Sequence, residues 1–313
     1  MTISGFSMAK NADKLGYPIK EAILSILPLV DEFVIALGDC DEDDNSRFLI
    51  ESIGSDKIKI IDTVWDLEKY PRGMEHGHQT DIAKEHCSGD WLFYVQADEV
   101  VHENDLPVIK RRCEELLHDR EVEGLLFKYI HFWGDFDHYH KSHGWYWNEI
   151  RIIRNDPDIH SWESAQSFRR IPRFDGISYR QPEGTHKLKV ARVNAHIYHY
   201  GWVRPPKIMK AKSTAFTRIH HGDQKAREFD ATNHPVFDYG DLSKLRIFKG
   251  THPAVMHERI KKFDWSDQLT NKPANRAKFK HEKFRYKLVS FFENYIFHRP
   301  LFDYSNYILL KRK

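Results

Sequence analysis

The stretch Trp91-Leu92-Phe93-Tyr94-Val95-Gln96-Ala97-Asp98-Glu99 carries an abrupt change of chemistry. Its first five residues, aromatic, aliphatic and β-branched, read as a strand covered on both faces. The run then breaks into polar and acidic residues. In open α/β sheets, ligands bind in the crevice beyond the carboxyl ends of the strands. A buried strand ending here delivers Asp98 and Glu99 to that crevice. A carboxylate in such a place can hold a divalent cation, and the cation can hold a diphosphate. The plain alternative is an acidic residue that ends a strand at the surface.

A second acidic group follows another apolar run. Phe33–Leu37 reads as a strand, and Gly38-Asp39-Cys40-Asp41-Glu42-Asp43-Asp44 places five acids in seven residues after it. Asp43 or Asp44 suits the cap of a helix reaching Ile53. Around these two groups the first 100 residues alternate strand and helix: strands at 3–9, 33–37, 57–61 and 91–95, helices at 18–30 and 75–87. That alternation predicts a parallel, three-layer α/β sheet. Neighbouring parallel strands would bring the two acidic ends together. Neither Gly-x-Gly-x-x-Gly after the first strand nor Gly-x-x-x-x-Gly-Lys-Ser/Thr is present, so a phosphate ligand would need a metal or basic side chains.

Bulk properties narrow the class. Of 313 residues, 41% are hydrophobic, enough for a sizeable core in one large domain or two. The formal charge of +2 implies no polyanion, so no nucleic acid partner. Aromatic residues at 13% and 20 His suit a cleft that stacks sugars, or simply an aromatic core. Cys40, Cys87 and Cys113 lack metal spacing and favour a reduced, cytoplasmic setting. No signal peptide and no membrane-spanning run is expected.

In order along the chain, these residues resemble family-2-type glycosyltransferases of the GT-A fold. Asn11 matches the asparagine after strand one. Leu29-Val30-Asp31-Glu32-Phe33-Val34-Ile35 matches the passage from helix to strand. Asp39 to Asp44 matches the nucleotide-contacting loop. Gln79-Thr80-Asp81 stands where the family carries Gln-Arg-Asn, and Gly89-Asp90-Trp91 and Ala97-Asp98-Glu99 match two further motifs. The likeness covers about the first 130 residues. Gln96 departs from it, replacing the first Asp of Asp-x-Asp.

The resemblance implies a GT-A domain over 1–203, Rossmann-like, with a mostly parallel central sheet and helices on both faces. A helical extension over 204–313 would pack on it. It also implies hexosyl transfer from a UDP- or GDP-sugar to a glycan or lipid-linked glycan acceptor, inverting, with Mn2+ or Mg2+, in bacterial surface glycan synthesis. Nucleotide contacts fall to Asn11, Asp39, Asp41, Gln79, Asp81 and Gln96. Asp98 and His199 would hold the metal. Glu163, after a strand at 145–154, would be the general base, its plain alternative being a helix cap. Lys249 and His252 in Phe248-Lys249-Gly250-Thr251-His252-Pro253 would close over phosphates, or form an ordinary turn. The alternatives are a nucleotidyltransferase, whose Gly-rich basic N-terminal loop is missing, and an inactive nucleotide- or glycan-binding protein.

The remaining segments read from their own pattern. Pro206–His221 is a basic helix carrying Lys207, Lys210, Lys212 and Arg218, with a solvated face or one turned to a diphosphate. Residues 222–245 read as a long mobile loop. The tail from Phe284 through Tyr304 to Lys313 is aromatic and basic. It would cover the core, form a homodimer or make peripheral membrane contact at the inner face of a membrane.

Overall fold

A computed structural model describes residues 1–232, 234–301 and 305–312, so Tyr304 and Lys313 of the tail lie outside the described residues. The strands, in chain order, are β1 Ile3–Ala9, β2 Glu32–Leu37, β3 Ile58–Asp62, β4 Trp91–Tyr94, β5 Glu99–Val101, β6 Gly124–Trp133, β7 His138–His140, β8 Asn148–Arg154, β9 Ile159–Trp162, β10 Ser167–Arg170, β11 His186–Trp202, β12 Arg246–Ile247 and β13 Tyr307–Leu309. The α-helices are α1 Ile19–Ile26, α2 Ser46–Glu51, α3 Met74–Glu85, α4 Leu106–Leu116, α5 Pro206–Thr232, α6 His257–Lys261 and α7 Phe284–Phe292.

The central order is β3-β2-β1-β4-β8-β6-β11-β10-β9. From β3 to β4 every pair is parallel. Beyond β4 the sheet is mixed: β8 runs antiparallel to β4 and β6, while β6 and β11 are parallel. The strand alternation sorts side chains into two cores. Phe33, Ile35, Trp91 and Phe93 pack with Ile19, Ile23 and Ile109 of α1 and α4 on one face. Phe6, Val34, Leu92 and Tyr94 pack with Ala83 of α3 and Phe168 of β10 on the other. Phe93 is fully buried and stacks on Phe127 at 5.3 Å, so truncation to Ala would cost about 3–5 kcal/mol. Where β1 runs beside β2, Gly5 is paired with Phe33, and a Cβ on Gly5 would lie 2.5 Å from the Phe33 ring, so glycine suits the close approach.

Three boundaries differ from expectation. Helix α1 stops at Ile26 rather than 30, because Pro28 has no N–H to continue the ladder. The segment 145–147 stays outside β8. Residues 222–245 are not a plain loop: helix α5 breaks at Gly222 (φ 84°, ψ 172°) and resumes to residue 232. Its second limb folds back on the first, with Lys210 Nζ donating to Phe229 O at 3.2 Å and Arg218 paired to Asp223 at 2.9 Å. Glycine at the hinge makes this reversal accessible, since its positive φ carries no Cβ penalty.

Candidate active site

All four parallel strands deliver residues to one cavity of about 930 Å³ from their carboxyl ends: Asn11 after β1, Asp41 after β2, Trp65 after β3, and Gln96 and Asp98 after β4. Helix α5 and the segment around Phe279 wall the opposite side. The volume lies within the usual range for a ligand site.

At its floor, Asp98 and His199 meet. Asp98 Oδ2 lies 3.7 Å from His199 Nε2 and 3.4 Å from Lys212 Nζ, and all three residues are at least nine-tenths buried. Strand β11 brings His199 there, and the Tyr200 N–H bonds the Asp98 carbonyl at 2.8 Å, tying the two segments together. Between them sits Gly201. A Cβ there would lie 2.5 Å from His199 Nε2 and 2.7 Å from Asp98 Oδ2.

The charges are strongly coupled. Burial opposes ionisation of Asp98, but the nearby positive charges, that of Lys212 foremost and that of Arg204 with it, hold the carboxyl below its usual range. Burial and the Arg204 charge push Lys212 down to about 7. Arg204 itself is 1% exposed, and Nε, Nη1 and Nη2 have no hydrogen-bond partner among the described residues. Its guanidinium lies 4.5 Å from the centre of the Tyr17 ring, and Lys212 Nζ lies 4.9 Å from that centre. Buried cations this poorly neutralised favour an anion beside them.

The donor set at Asp98 and His199 fits a divalent cation. One carboxylate oxygen and one imidazole nitrogen face the same cavity, and such a pair leaves coordination positions for water and phosphate oxygens. No cluster of three or more His, Cys, Asp or Glu suited to a metal exists among the described residues, so a bound cation would depend on its ligand for the rest.

The other expected residues divide sharply. Asn11, Asp41 and Gln96 line the cavity. Asn11 adopts the left-handed conformation (φ 53°), which Asn tolerates, and its Oδ1 accepts from Asp41 N at 2.7 Å, pinning the acidic loop. Asp39 stands at the edge, paired to Lys10 at 2.7 Å and accepting from Trp65 N at 2.9 Å. Gln96 donates Nε2 to Ala165 O at 3.0 Å, which ties strand β4 to the β9–β10 hairpin.

Gln79 and Asp81 do not line the cavity. Gln79 is fully buried between Glu75 and Thr63, at 2.7 and 2.6 Å. The Asp81 carboxylate accepts from Ser161 N and pairs with His160 Nδ1, both at 2.8 Å, and lines a separate cavity of about 430 Å³. Glu99 also turns away, into a fully buried bidentate pair with Arg151 at 2.7 and 2.8 Å. Lys249 and His252 lie outside the cavity. His252 bonds Tyr200 OH at 2.8 Å within an aromatic group that includes Phe132 and Phe248.

Glu163 is exposed at the tip of the β9–β10 hairpin, in a turn rather than at a helix start, with φ of 56°. Its neighbours Ser164 and Gln166 line the cavity. Sequence reading missed Arg204 and His131, which supports His199 from behind. The buried guanidinium of Arg204, without a hydrogen-bond partner among the described residues, is visible only in three dimensions.

The strand order, with an antiparallel strand inserted beside β4 and the site at the β4 end, defines a mixed α/β fold. No protein-family model matches the chain. No curated protein matches it either. Among solved structures it is similar to S. aureus TarS, at 14% identity and a TM-score of 0.37, over 74% of this chain and 42% of that one. It is also similar to glucosyl-3-phosphoglycerate synthase from Mycobacterium tuberculosis, solved with Mn2+, UDP and phosphoglyceric acid. That likeness has 18% identity and a TM-score of 0.28, over 42% of this chain and 43% of that one. The chain therefore spans less than half the length of either.

Proposed function

We propose that this chain is an inverting glycosyltransferase acting on a UDP- or GDP-sugar, with a glycan or lipid-linked glycan acceptor of a bacterial surface polymer. The observation that carries this reading is the convergence of Asp98, His199, Lys212 and Arg204 at the carboxyl ends of parallel strands. A nucleoside diphosphate presents the negative charge that this cationic floor lacks, and the acidic loop held by Asn11 borders the space for its base and ribose.

Residues 1–203 supply the catalytic unit, and the extension that follows completes the cavity wall through segments between Met209 and Phe279. Asp98 and His199 would hold Mn2+ or Mg2+; when bound, the cation neutralises charge developing on the diphosphate. Lys212 and Arg204 add positive charge on the same side. Glu163 acts from the cavity rim. It takes the proton of the acceptor hydroxyl as that oxygen attacks the anomeric carbon. The bond from this carbon to the diphosphate oxygen breaks on the opposite face, and the diphosphate leaves with the electron pair.

Titration calorimetry with UDP and GDP, with and without Mn2+, followed by donor hydrolysis, tests the reading. Asp98→Asn should weaken metal-dependent nucleotide binding with little change in thermal unfolding. Equal affinity in variant and wild type would remove the proposed metal role of Asp98. Nucleotide binding without hydrolysis or transfer to any acceptor would make the chain a nucleotide-binding protein, the reading that Gln96 favours.

A further inference from the structure

Helix α7 is amphipathic in the wrong sense for a helix resting on its own protein. Tyr286, Ser290, Glu293 and Asn294 form one stripe along α7 and the turn after it. Through this stripe the segment docks on residues 141–143. Ser290 Oγ accepts from His143 N at 2.7 Å, Glu293 Oε1 meets His143 Nδ1 at 2.8 Å, and Asn294 Nδ2 donates to Lys141 O at 2.8 Å. The other stripe is apolar and faces outward. Phe284 is 81% exposed, Leu288 49%, Phe291 52% and Tyr295 64%. Ile296 and Phe297 continue it, also exposed. A soluble surface helix normally turns this kind of stripe to the core. A contiguous exposed apolar patch marks an interaction site.

Charge identifies the partner. Residues 278–299 hold six Lys and Arg against two acids. Both acids face inward: Glu282 pairs with Arg276 at 2.8 Å, and Glu293, 1% exposed, is held by His143. Lys283, Arg285, Lys287 and Arg299 remain exposed around the aromatic stripe. A twofold dimer would lay this patch against itself and set cations against cations. An anionic lipid surface satisfies both halves, since aromatic side chains enter the acyl boundary while Lys and Arg stay at the headgroups.

We infer that the α7 segment is a peripheral membrane anchor for anionic bilayers, through Phe284, Leu288, Phe291 and Tyr295 flanked by Lys283 and Lys287. Phe279, which lines the donor cavity, lies five residues before α7. Five residues span at most about 18 Å, so anchoring sets that wall of the cavity close to the lipid surface.

The test is sedimentation of the full chain with vesicles of phosphatidylglycerol mixed with phosphatidylcholine, against vesicles of phosphatidylcholine alone. Nucleotide is left out, so the result is independent of the glycosyl-transfer reading. The wild type should pellet with the anionic vesicles only, and less as salt rises. Phe284→Ser combined with Phe291→Ser should reduce binding about tenfold or more, with little change in thermal unfolding because Phe284 is mostly and Phe291 half exposed. Lys283→Glu combined with Lys287→Glu should do the same. Absence of pelleting, equal pelleting with neutral vesicles, or variants that pellet like wild type would overturn the inference. So would a wild-type dimer in analytical ultracentrifugation that the double Phe variant converts to monomer.

Discussion

The Nδ1 atoms of His131 and His199 lie 3.0 Å apart, and His131 Nε2 lies 2.8 Å from the Tyr146 carbonyl oxygen. A carbonyl only accepts, so Nε2 of His131 carries the proton. Burial holds the His131 pKa well below its ordinary value, so the ring is neutral and its Nδ1 offers a lone pair. Burial lowers the His199 pKa as well, so this ring is neutral too; it donates from Nδ1, which leaves its Nε2 unprotonated on the side of Asp98. Tyr146 O thus sets the tautomer of His199 through His131. Partners of this kind are worth about 10–100-fold in metal affinity. His131→Phe should weaken Mn2+ binding in the presence of UDP by that factor, read from the electron paramagnetic resonance of free Mn2+. Unchanged Mn2+ affinity would show that His131 does not orient His199.

Gly201 gives an independent handle on the same place. A Cβ there would enter the space between His199 Nε2 and Asp98 Oδ2, at 2.5 and 2.7 Å. Gly201→Ala should therefore push the two groups apart and cut Mn2+-dependent nucleotide binding. Metal-independent nucleotide binding should change less. The informative comparison is calorimetry with and without Mn2+. A variant that binds equally well in both conditions as wild type would mean that the two groups do not act together.

What the sequence disclosed, and what it hid, follows from the range of the interactions. Strands β2 and β4 were legible because Phe33–Leu37 and Trp91–Tyr94 are unbroken apolar runs, a local property, while β1 and β3 carry polar residues and were read from the strand–helix alternation around them. Asp98 was legible because it follows such a run at the end where ligands bind. Glu99 looks equivalent in the sequence, yet its fate is decided by Arg151, 52 residues away. Asp81 sits in a recognisable motif position but is claimed by His160, 79 residues on. His131 and Arg204 lie in strand and strand-end segments whose pattern reports burial, not partners. The return limb of α5 was hidden because polar composition resembles a loop, whereas one Gly at 222 permits a helical reversal.

Several histidines shielded from water should make the fold less stable in acid. Burial, with the His220 charge adding to it, pushes His76 from 6.5 to about 3. Burial pushes His281 down to about 4, and His140, stacked on Trp145, well below its ordinary value. Below 6.5 the unfolded chain takes up protons that these folded rings refuse, so stability falls as pH drops from about 6.5 toward 4. Thermal unfolding should show a lower midpoint at about pH 5 than at about pH 7.5. His281→Phe removes one titrating ring from an aromatic setting and should flatten that dependence. An unaltered slope in the variant would remove His281 from the account.

Glu163 combines exposure, a left-handed backbone and a place beside the cavity. A non-glycine residue at φ of 56° carries a local cost on the order of 1–2 kcal/mol. If its carboxylate were idle, glycine at this position would be better for the fold and neutral for function. The base role gives a different pattern. Glu163→Gly should leave stability equal or higher, because the strain is relieved, while turnover falls by about 10²–10⁴-fold. Glu163→Gln should show the same fall in turnover without the gain in stability, and donor affinity should stay near wild type in both. Thermal unfolding, donor calorimetry and initial rates on the two variants separate these outcomes. Near-normal transfer by Glu163→Gln would exclude the base role, and Asp135 and Asp137 would then be the residues to vary. Asp135 is already engaged, its Oδ2 lying 2.8 Å from His138 Nδ1, so of the two Asp137 should be varied first.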